Sequence, residues 1–352
     1  MLQASEGDSL LLHYGVASKP SHVVIDSGRK ATWKALQPRL EAACSRGETL
    51  ELLVITHIDR DHIEGVLELM QADSIAKSFR DIWFNGFHHL VDQRVEPMGV
   101  VQGEALTDAL LTLGLPWNSH KRWHGGPVAL AQPDEPVRVS LDGGLQITLL
   151  SPWVGQLKSL RKEWEEVCLE AGLVPGLGTS QRREHPALER YGIVDVEKLA
   201  AAEFTEDSAK PNGSSIAFIA EYDGHRVLLG ADAHPSQLLC ALGALGGRQK
   251  LSAFKLPHHG SKANLSTALL QAVACSRYVV STNGTYFQHP DRETIARIIK
   301  CGGADPALIF NYESRQSRIW RDAGLRERYR YRTQYPAPGA DCLTLDLADG
   351  AS

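Results

Sequence analysis

The sequence of 352 residues lacks the features that mark several classes of protein. Its six cysteines are far apart and include no CxxC pair, which argues against a zinc knuckle and against a disulfide framework. No apolar run approaches the roughly 20 residues that span a bilayer, and no basic region followed by a long apolar one opens the chain. The 37 Lys and Arg residues are outnumbered by 42 Asp and Glu residues, which argues against a surface that is basic throughout. We therefore expect a cytoplasmic protein without membrane segments.

Alternating and clustered apolar residues predict an α/β chain. Runs at 9–14 and 22–25 predict an opening hairpin, which is followed by a helix over 30–45 and by the strand LELLVI at 50–55. A further helix is predicted over 65–71. VRVSLDGGLQITLLS and SSIAFIAEYDGHRVLLGAD each predict a hairpin around a Gly-containing turn. The order of these elements favours one domain of two mixed β-sheets sandwiched between helices.

Residues 154–211 differ in composition from the rest of the chain. They are charged, are interrupted by Pro and Gly, and show no strand pattern, whereas LKSLRKEWEEVCLEAG has the pattern of a helix. We interpret them as a mostly helical insertion that forms a cap or lid.

Residues 313–335 are rich in arginine and in aromatic side chains. The stretch ERYRYRTQY predicts a strand, and its period of 2 places the arginines on one face and the tyrosines on the other. Such a face could track phosphates while the aromatic rings stack on bases. The alternative is a solvated edge strand whose tyrosines pack inwards. The arginines are Arg328, Arg330 and Arg332, and the tyrosines are Tyr329 and Tyr331.

The strongest chemical signal is THIDRDHIEG at 56–65, directly after the predicted strand LELLVI. Four ligand-type side chains lie within six residues, and a loop at the end of a strand can direct them at one or two metal ions. These side chains are His57, Asp59, Asp61 and His62.

Two later segments carry more candidates. GADAH contains Asp232, which would also fit the N-cap of a following helix. PHHGS contains His258 and His259, and two adjacent histidines before Gly and Ser are less easily explained by packing. His289, before Pro290, follows the predicted strand YVVSTN after a short loop.

The cluster resembles the HxHxDH signature of the metallo-β-lactamase superfamily. Further motifs follow in the order found in its ComEC-type hydrolase branch: GDSLLLHYG and HVVIDSG resemble the opening hairpin, and PNGSS, GADAH, PHHGS and the later HP dipeptide come after the cluster. The resemblance implies that residues 1–352 form a single metallo-β-lactamase-like αββα sandwich, with the insertion at 154–211 added to it.

The resemblance also implies roles for individual residues. Two metal sites are expected, one served by His57 and Asp59 and the other by Asp61 and His62. Asp232 would bridge them, and the neighbouring PHHGS motif would supply the terminal ligand. That ligand is expected to be His258, with His259 in proton transfer, although the sequence leaves the reverse order open.

The remaining roles concern catalysis and substrate. Asp61 would orient the nucleophile, and His259 or His289 would protonate the leaving oxygen. No clear histidine fills the third motif of the superfamily, so Asn212 or Ser215 is expected to face the site, although both would also fit a turn before a strand. The residues expected to be catalytic are Asp61, His259 and His289, and those expected to bind substrate are Asn212, Ser215 and Ser261.

Asp59 replaces the middle histidine of the signature, and this harder ligand favours zinc or manganese, as one or two ions per chain. Two cations on a bridging carboxylate would generate a metal-bound hydroxide near neutral pH. The sequence therefore predicts a metal-dependent hydrolase, and most directly a phosphodiesterase acting on a nucleic acid or nucleotide. The alternatives are an acyl-bond hydrolase of the lactonase, thioesterase or lactamase type and a partner-dependent regulatory subunit, although the sequence indicates no particular protein partner.

Overall fold

The computed structural model describes residues 1–90, 101–161 and 194–348. The described strands are β1 (Leu10–Val16), β2 (Lys19–Ile25), β3 (Thr49–Val54), β4 (Phe79–Trp83), β5 (Val137–Ser140), β6 (Gln146–Ser151), β7 (Ala217–Tyr222), β8 (His225–Leu229), β9 (Gln249–Lys250), β10 (Ala253–Lys255), β11 (Val273–Ala274), β12 (Arg277–Val280), β13 (Ala307–Phe310) and β14 (Arg332–Gln334). The described helices are α1 (Trp33–Ser45), α2 (Arg60–Met70), α3 (Asp73–Ala76), α4 (Val101–Thr112), α5 (described over 154–161), α6 (Val196–Ala200), α7 (Lys210–Gly213), α8 (Pro235–Ala244), α9 (Thr267–Ala272), α10 (Arg292–Cys301), α11 (Arg315–Arg318) and α12 (Ala323–Tyr329).

The strands form two main sheets, and both are mixed. The first has the order β1-β2-β3-β4, with β1 antiparallel to β2 and the other pairs parallel. The second has the order β14-β13-β12-β10-β8-β7-β6-β5; its pairs are antiparallel from β5 to β8 and parallel from β8 to β14. The three predicted hairpins are confirmed as β1–β2, β5–β6 and β7–β8. The chain is an α/β protein with mixed sheets flanked by helices.

Alternation along β2 shows how the layers are arranged. Val23 and Ile25 belong to one buried cluster with Phe218 of the second sheet, whereas Val24 belongs to another with Leu36 of α1 and Val66 of α2. Because successive side chains of a strand point to opposite faces, the first sheet has one face towards the second sheet and the other covered by helices. This layering is compatible with an αββα sandwich.

The strand ends place the polar motifs together. β2 and β3 are parallel and end before Asp26 and His57, while β8 and β10 are parallel and end before Asp232 and His258. Since parallel strands have their carboxyl ends at the same edge of a sheet, each sheet presents its polar loops at one edge.

The predicted start of the second helix is wrong by five residues. Helix α2 begins at Arg60 and not at Gly65, because Asp59 keeps extended angles (φ −68°, ψ 144°) and its carbonyl accepts from His62 N, which starts the helical turn. Asp61 and His62 therefore project from the first turn of a helix rather than from a loop. A helical backbone holds them more rigidly than a loop would.

The predicted strand over 327–335 is also wrong in its first half. Helix α12 extends to Tyr329, because Asp322 caps it by accepting from Leu325 N, and Arg330 (φ 54°) then ends it in the left-handed region. Only Arg332–Gln334 form a strand. Tyr331 is buried and its hydroxyl donates to a backbone carbonyl, so a continuous basic face of alternating arginines does not form.

The predicted insertion at 154–211 is described only in part. Helices α5 and α6 lie in it, and α7 begins in it and ends at Gly213, whereas residues 162–193 are outside the described part of the chain. Within the described residues, no helix is both long enough and apolar enough to cross a membrane.

Candidate metal centre

Four imidazoles surround one buried carboxylate where the loops of the two sheets meet. The Nε2 atoms of His57, His62, His258 and His259 lie 3.8, 3.6, 3.8 and 3.7 Å from Oδ2 of Asp232. Asp232 is only 2% exposed. Three sequence motifs far apart in the chain therefore meet at a single point.

The other ring nitrogens of the first two histidines have acceptors. His62 Nδ1 donates to Asp26 Oδ2 over 2.7 Å, and a carboxylate can only accept. Thr56 Oγ1 donates to the same oxygen over 2.7 Å, so it accepts from His57 Nδ1, which lies 3.0 Å away. Asp26 thus fixes both rings with Nδ1 protonated, which leaves Nε2 as the atom of each ring that can bind a metal ion.

The same arrangement holds for the second pair of histidines. His259 Nδ1 donates to the carbonyl of Ser281 over 2.9 Å. His258 Nδ1 lies 2.9 Å from Asn264 Oδ1, which is an acceptor because the Asn264 amide donates to Asp207 over 3.0 Å. Metal-binding histidines typically donate their second N–H in this way, which fixes the tautomer and the ring orientation.

The turn that carries His258 and His259 has an unusual backbone. Both residues have positive φ (45° and 54°), and Gly260 follows at 88°. A Cβ on Gly260 would lie 2.8 Å from Pro290 Cβ, so only glycine fits there. Non-glycine residues in this region carry strain that is typical of functional sites, and here the strained turn directs two adjacent rings at the same carboxylate.

Carboxylates complete three groups of described residues that could hold a metal ion. The first is His57, His62 and Asp232, the second is Asp61, His62 and His259, and the third is Asp8, Asp26 and His62, with the potential ligand atoms of each group within 4.8 Å of one another. Asp61 Oδ2 lies 3.3 Å from His259 Nε2. His259, and not its neighbour in sequence, belongs to the second group.

Unused ligand atoms support a metal at this place. His57 Nε2 and Asp232 Oδ1 are buried and have no hydrogen-bond partner among the described residues. Buried polar atoms usually have partners, and a coordinated cation would provide one for both. The donor set of imidazoles and carboxylates fits a divalent metal ion. Asp59 is more peripheral, with its side chain 44% exposed and Oδ2 3.7 Å from His57 Nε2.

The carboxylates and imidazoles of the cluster shift one another's pKa values. Burial alone would raise the pKa of Asp232, but the imidazoles of His62, His259 and His258 hold it well below its ordinary value. Burial alone would lower the pKa of His259, but the carboxylates, first Asp232 and then Asp8, raise it to about 9. Protons therefore balance the buried carboxylates, and a metal ion bound at the Nε2 atoms would take over that role.

Asp8 and Lys255 form a buried ion pair beside the cluster that the sequence analysis did not single out. Their side chains are both 2% exposed and in direct contact, and Asp8 Oδ1 lies 3.6 Å from His259 Nδ1. The preceding residue packs just as closely, since a Cβ on Gly7 would lie 1.7 Å from the carbonyl oxygen of Asp61. The sequence signal was the GDS of the opening hairpin, which thus packs against Asp61 and His259 of the second metal group.

Asn212 lies beside the cluster. Its amide donates to Asp207 Oδ2 over 2.7 Å and is 3.4 Å from His258 Nδ1. Its Oδ1 and the hydroxyl of Ser215 are buried without hydrogen-bond partners among the described residues. Ser261 Oγ accepts from Ala263 N over 3.2 Å and so stabilises its own turn.

His289 lies next to His258, with 5.3 Å between the ring centroids. Burial lowers the pKa of His289, and Asp291, whose Oδ2 is 3.4 Å from Nδ1, opposes this shift. The structure thus brings His289 to the edge of the cluster and not among the four rings around Asp232.

A scan against protein-family models finds no match to the chain, and no curated protein matches it significantly in sequence. The fold and the cluster define an α/β protein with a buried His and Asp site that could hold a metal ion. Any functional assignment therefore rests on the geometry of that site.

Proposed function

We propose that the chain is a metal-dependent hydrolase with a metallo-β-lactamase-like fold and that its substrates are phosphodiesters. The observation that carries the proposal is the convergence of four Nε2 atoms, each 3.6–3.8 Å from Asp232 Oδ2, on rings whose Nδ1 atoms all have acceptors. Packing alone does not require four imidazoles that direct Nε2 at one buried carboxylate. The layered mixed sheets and the order of the motifs along the chain support the same assignment.

The candidate ligands form two adjoining metal-binding positions in this proposal. His57, His62 and Asp232 would hold one zinc or manganese ion, and Asp61 and His259 would hold a second beside it, because the single Nε2 lone pair of His62 can bind only one ion. Asp59, near His57, is available to the first position. When bound, such ions supply a Lewis acid for phosphoryl oxygens and lower the pKa of coordinated water. His259 takes the ligand role in this proposal, which is the reverse of the order expected from the sequence.

Other residues would orient the site and move protons. Asp26 holds the rings of His57 and His62 through hydrogen bonds on their Nδ1 side, so both face the substrate with Nε2. The side chain of His258 is 19% exposed, whereas that of His259 is 1% exposed. His258 is therefore the imidazole through which a proton would pass between the leaving oxygen and solvent. Each of the two metal positions combines imidazole and carboxylate donors, a set that suits zinc and manganese.

The test is hydrolysis of a substrate panel in the presence of zinc or manganese. The panel contains single-stranded DNA, duplex DNA, RNA, a chromogenic phosphodiester and, for the alternative chemistry, a chromogenic thioester and a lactone. We expect phosphodiester turnover by the wild type and a loss of about 100-fold or more in Asp61→Ala.

The matched control is Asp81→Asn, because Asp81 is also buried and hydrogen-bonded but accepts from Ser119 N, His120 N and Trp83 Nε1. Its activity should remain within about twofold of the wild type, as for substitutions outside a catalytic site. Turnover of the thioester or lactone alone would contradict the phosphodiester assignment. An equally inert wild type and Asp61→Ala would contradict the hydrolase.

A further inference from the structure

An exposed aromatic residue lies at the rim of the candidate metal centre. Phe287 is 44% exposed and belongs to the segment between β12 and α10 that also carries His289. Only two other large hydrophobic side chains of the described residues are exposed, Val16 and Leu111. Its position beside the polar, buried cluster places an exposed apolar ring where a ligand bound at the cluster could contact it.

Phe287 is part of an array of rings that leads into the cluster. Its centroid is 5.9 Å from that of His289, with the planes at 20°, and 6.1 Å from that of His258. Tyr286 contacts it edge-on, with the centroids 4.5 Å apart. Because His258 Nε2 is 3.8 Å from Asp232, a single imidazole separates the phenyl ring from the central carboxylate.

The loop that presents Phe287 is held firmly. Gln316 Nε2 donates to the carbonyl of Gly284 and to Gln288 Oε1, both over 3.0 Å, and Gln316 is buried. Gly284 has φ +69°, and a Cβ there would lie 2.3 Å from Gln316 Oε1. Asn283 N donates to the carbonyl of Ser5 over 2.8 Å. An aromatic ring fixed in place in this way can bind a flat partner at little cost in conformational entropy.

We propose that Phe287 is the stacking platform for the nucleobase next to the scissile phosphate, an inference that rests on the proposed phosphodiesterase function. With a phosphate at the cluster, the sugar would lie over His258 and the base would reach the phenyl ring. Stacking on an aromatic ring accepts any base, so this subsite selects nucleotides without reading their sequence. The ligand chemistry is a nucleoside phosphate, either free or within a single strand.

Binding tests the subsite without requiring turnover. Calorimetric titrations of the zinc-loaded protein with thymidine 5′-monophosphate and with deoxyribose 5-phosphate compare ligands that differ only in the base. We expect Phe287→Ala to weaken nucleotide binding about tenfold and to leave the sugar phosphate within about twofold, as stacking on one ring predicts. Phe287→Tyr should restore nucleotide binding.

The matched control is Val16→Ala, which truncates an exposed apolar side chain (65% exposed) at the far end of β1. It should change neither affinity. Equal losses for both ligands in Phe287→Ala, or no loss for either, would overturn the stacking assignment. A titration with a six-nucleotide thymidylate distinguishes the source of the ligand: tighter binding than the mononucleotide assigns the subsite to a single strand, and equal or weaker binding assigns it to a free nucleotide.

Turnover separates this inference from the proposed function. The substrates are thymidine 5′-(p-nitrophenyl phosphate) and methyl p-nitrophenyl phosphate, and we expect Phe287→Ala to raise KM about tenfold for the first alone, with kcat unchanged. If the wild type hydrolyses neither substrate but binds nucleotide through Phe287, the proposed hydrolase function is contradicted and the base subsite is supported. If the wild type hydrolyses both substrates and Phe287→Ala changes neither KM value, the base subsite is contradicted and the hydrolase function is supported.

Discussion

Replacing Asp26 with asparagine tests how the imidazoles of the cluster are held. Asp26 is fully buried, and its carboxylate accepts from Thr56 N, Thr56 Oγ1 and His62 Nδ1 over 2.7–2.8 Å. Its φ of 54° is tolerated by asparagine, so the backbone can stay unchanged. Asparagine offers one acceptor oxygen in place of two, and its amide group would face at least one of these donors.

The expected loss is in metal affinity. Without a fixed acceptor at Nδ1, the His62 ring no longer keeps its tautomer or its orientation, and the negative charge that strengthens it as a ligand is gone. Hydrogen-bond partners of metal-binding histidines contribute about 10–100-fold to affinity. We therefore predict that Asp26→Asn binds zinc 10–100-fold more weakly, equivalent to about 1.4–2.7 kcal/mol.

Competition with a chromophoric chelator measures the affinity directly. Asp81→Asn is the matched control, since the Asp81 carboxylate accepts five hydrogen bonds from nearby donors and none of these donors belongs to the cluster. It should lower the melting temperature but leave zinc affinity unchanged. Wild-type affinity in Asp26→Asn, or an equal loss in Asp81→Asn, would refute the reasoning.

Three other predictions concern residues other than the histidines of the cluster. Burial raises the pKa of Glu104 to about 6, so the folded state loses stability as pH rises from about 4.5 to above 6, and Glu104→Gln should be more stable than the wild type by about 2 kcal/mol at pH 8 and by nearly nothing at pH 4 in urea titrations. Gly7→Ala should abolish zinc retention, measured by elemental analysis after dialysis, because its Cβ would lie 1.7 Å from the Asp61 carbonyl; wild-type zinc content would contradict the close approach. Burial raises the pKa of the Cys275 thiol to about 11, whereas Cys240 is exposed, so mass spectrometry after brief iodoacetamide treatment should find Cys240 modified and Cys275 intact, and early modification of Cys275 would be the contrary result.

The sequence predicted elements whose signals are local. Alternation around Gly-containing turns gave the β5–β6 and β7–β8 hairpins. The same alternation wrongly predicted a strand at Tyr329 and Tyr331. The N-cap at Asp322 and the burial of Tyr331 outweighed the strand pattern there. The start of α2 was placed too late because its first turn is polar, and apolar periodicity, which marks most helices, begins only at Ile63.

The motifs that carry the histidines of the candidate site were predictable from the sequence, but the buried residues that hold these histidines in place were not. His57 and His62 belong to a motif with few alternative explanations, and the order of the motifs favoured a ligand role for Asp232 over a helix N-cap. Asp26, by contrast, stands 36 residues before His62, and an Asp before Ser-Gly reads as an ordinary turn. The contact between Asp8 and Lys255 joins residues 247 apart in sequence, so only the folded chain reveals it.

The central claim is that the imidazoles of His57, His62 and His259 hold metal together with Asp232 and Asp61, and anomalous diffraction tests it most directly. Crystals grown with zinc or manganese would be measured at the absorption edge of the metal. We predict an anomalous peak bonded to His62 Nε2 and Asp232, at roughly 2.0–2.2 Å from each. A peak elsewhere on the protein, with none among these rings, would contradict the account.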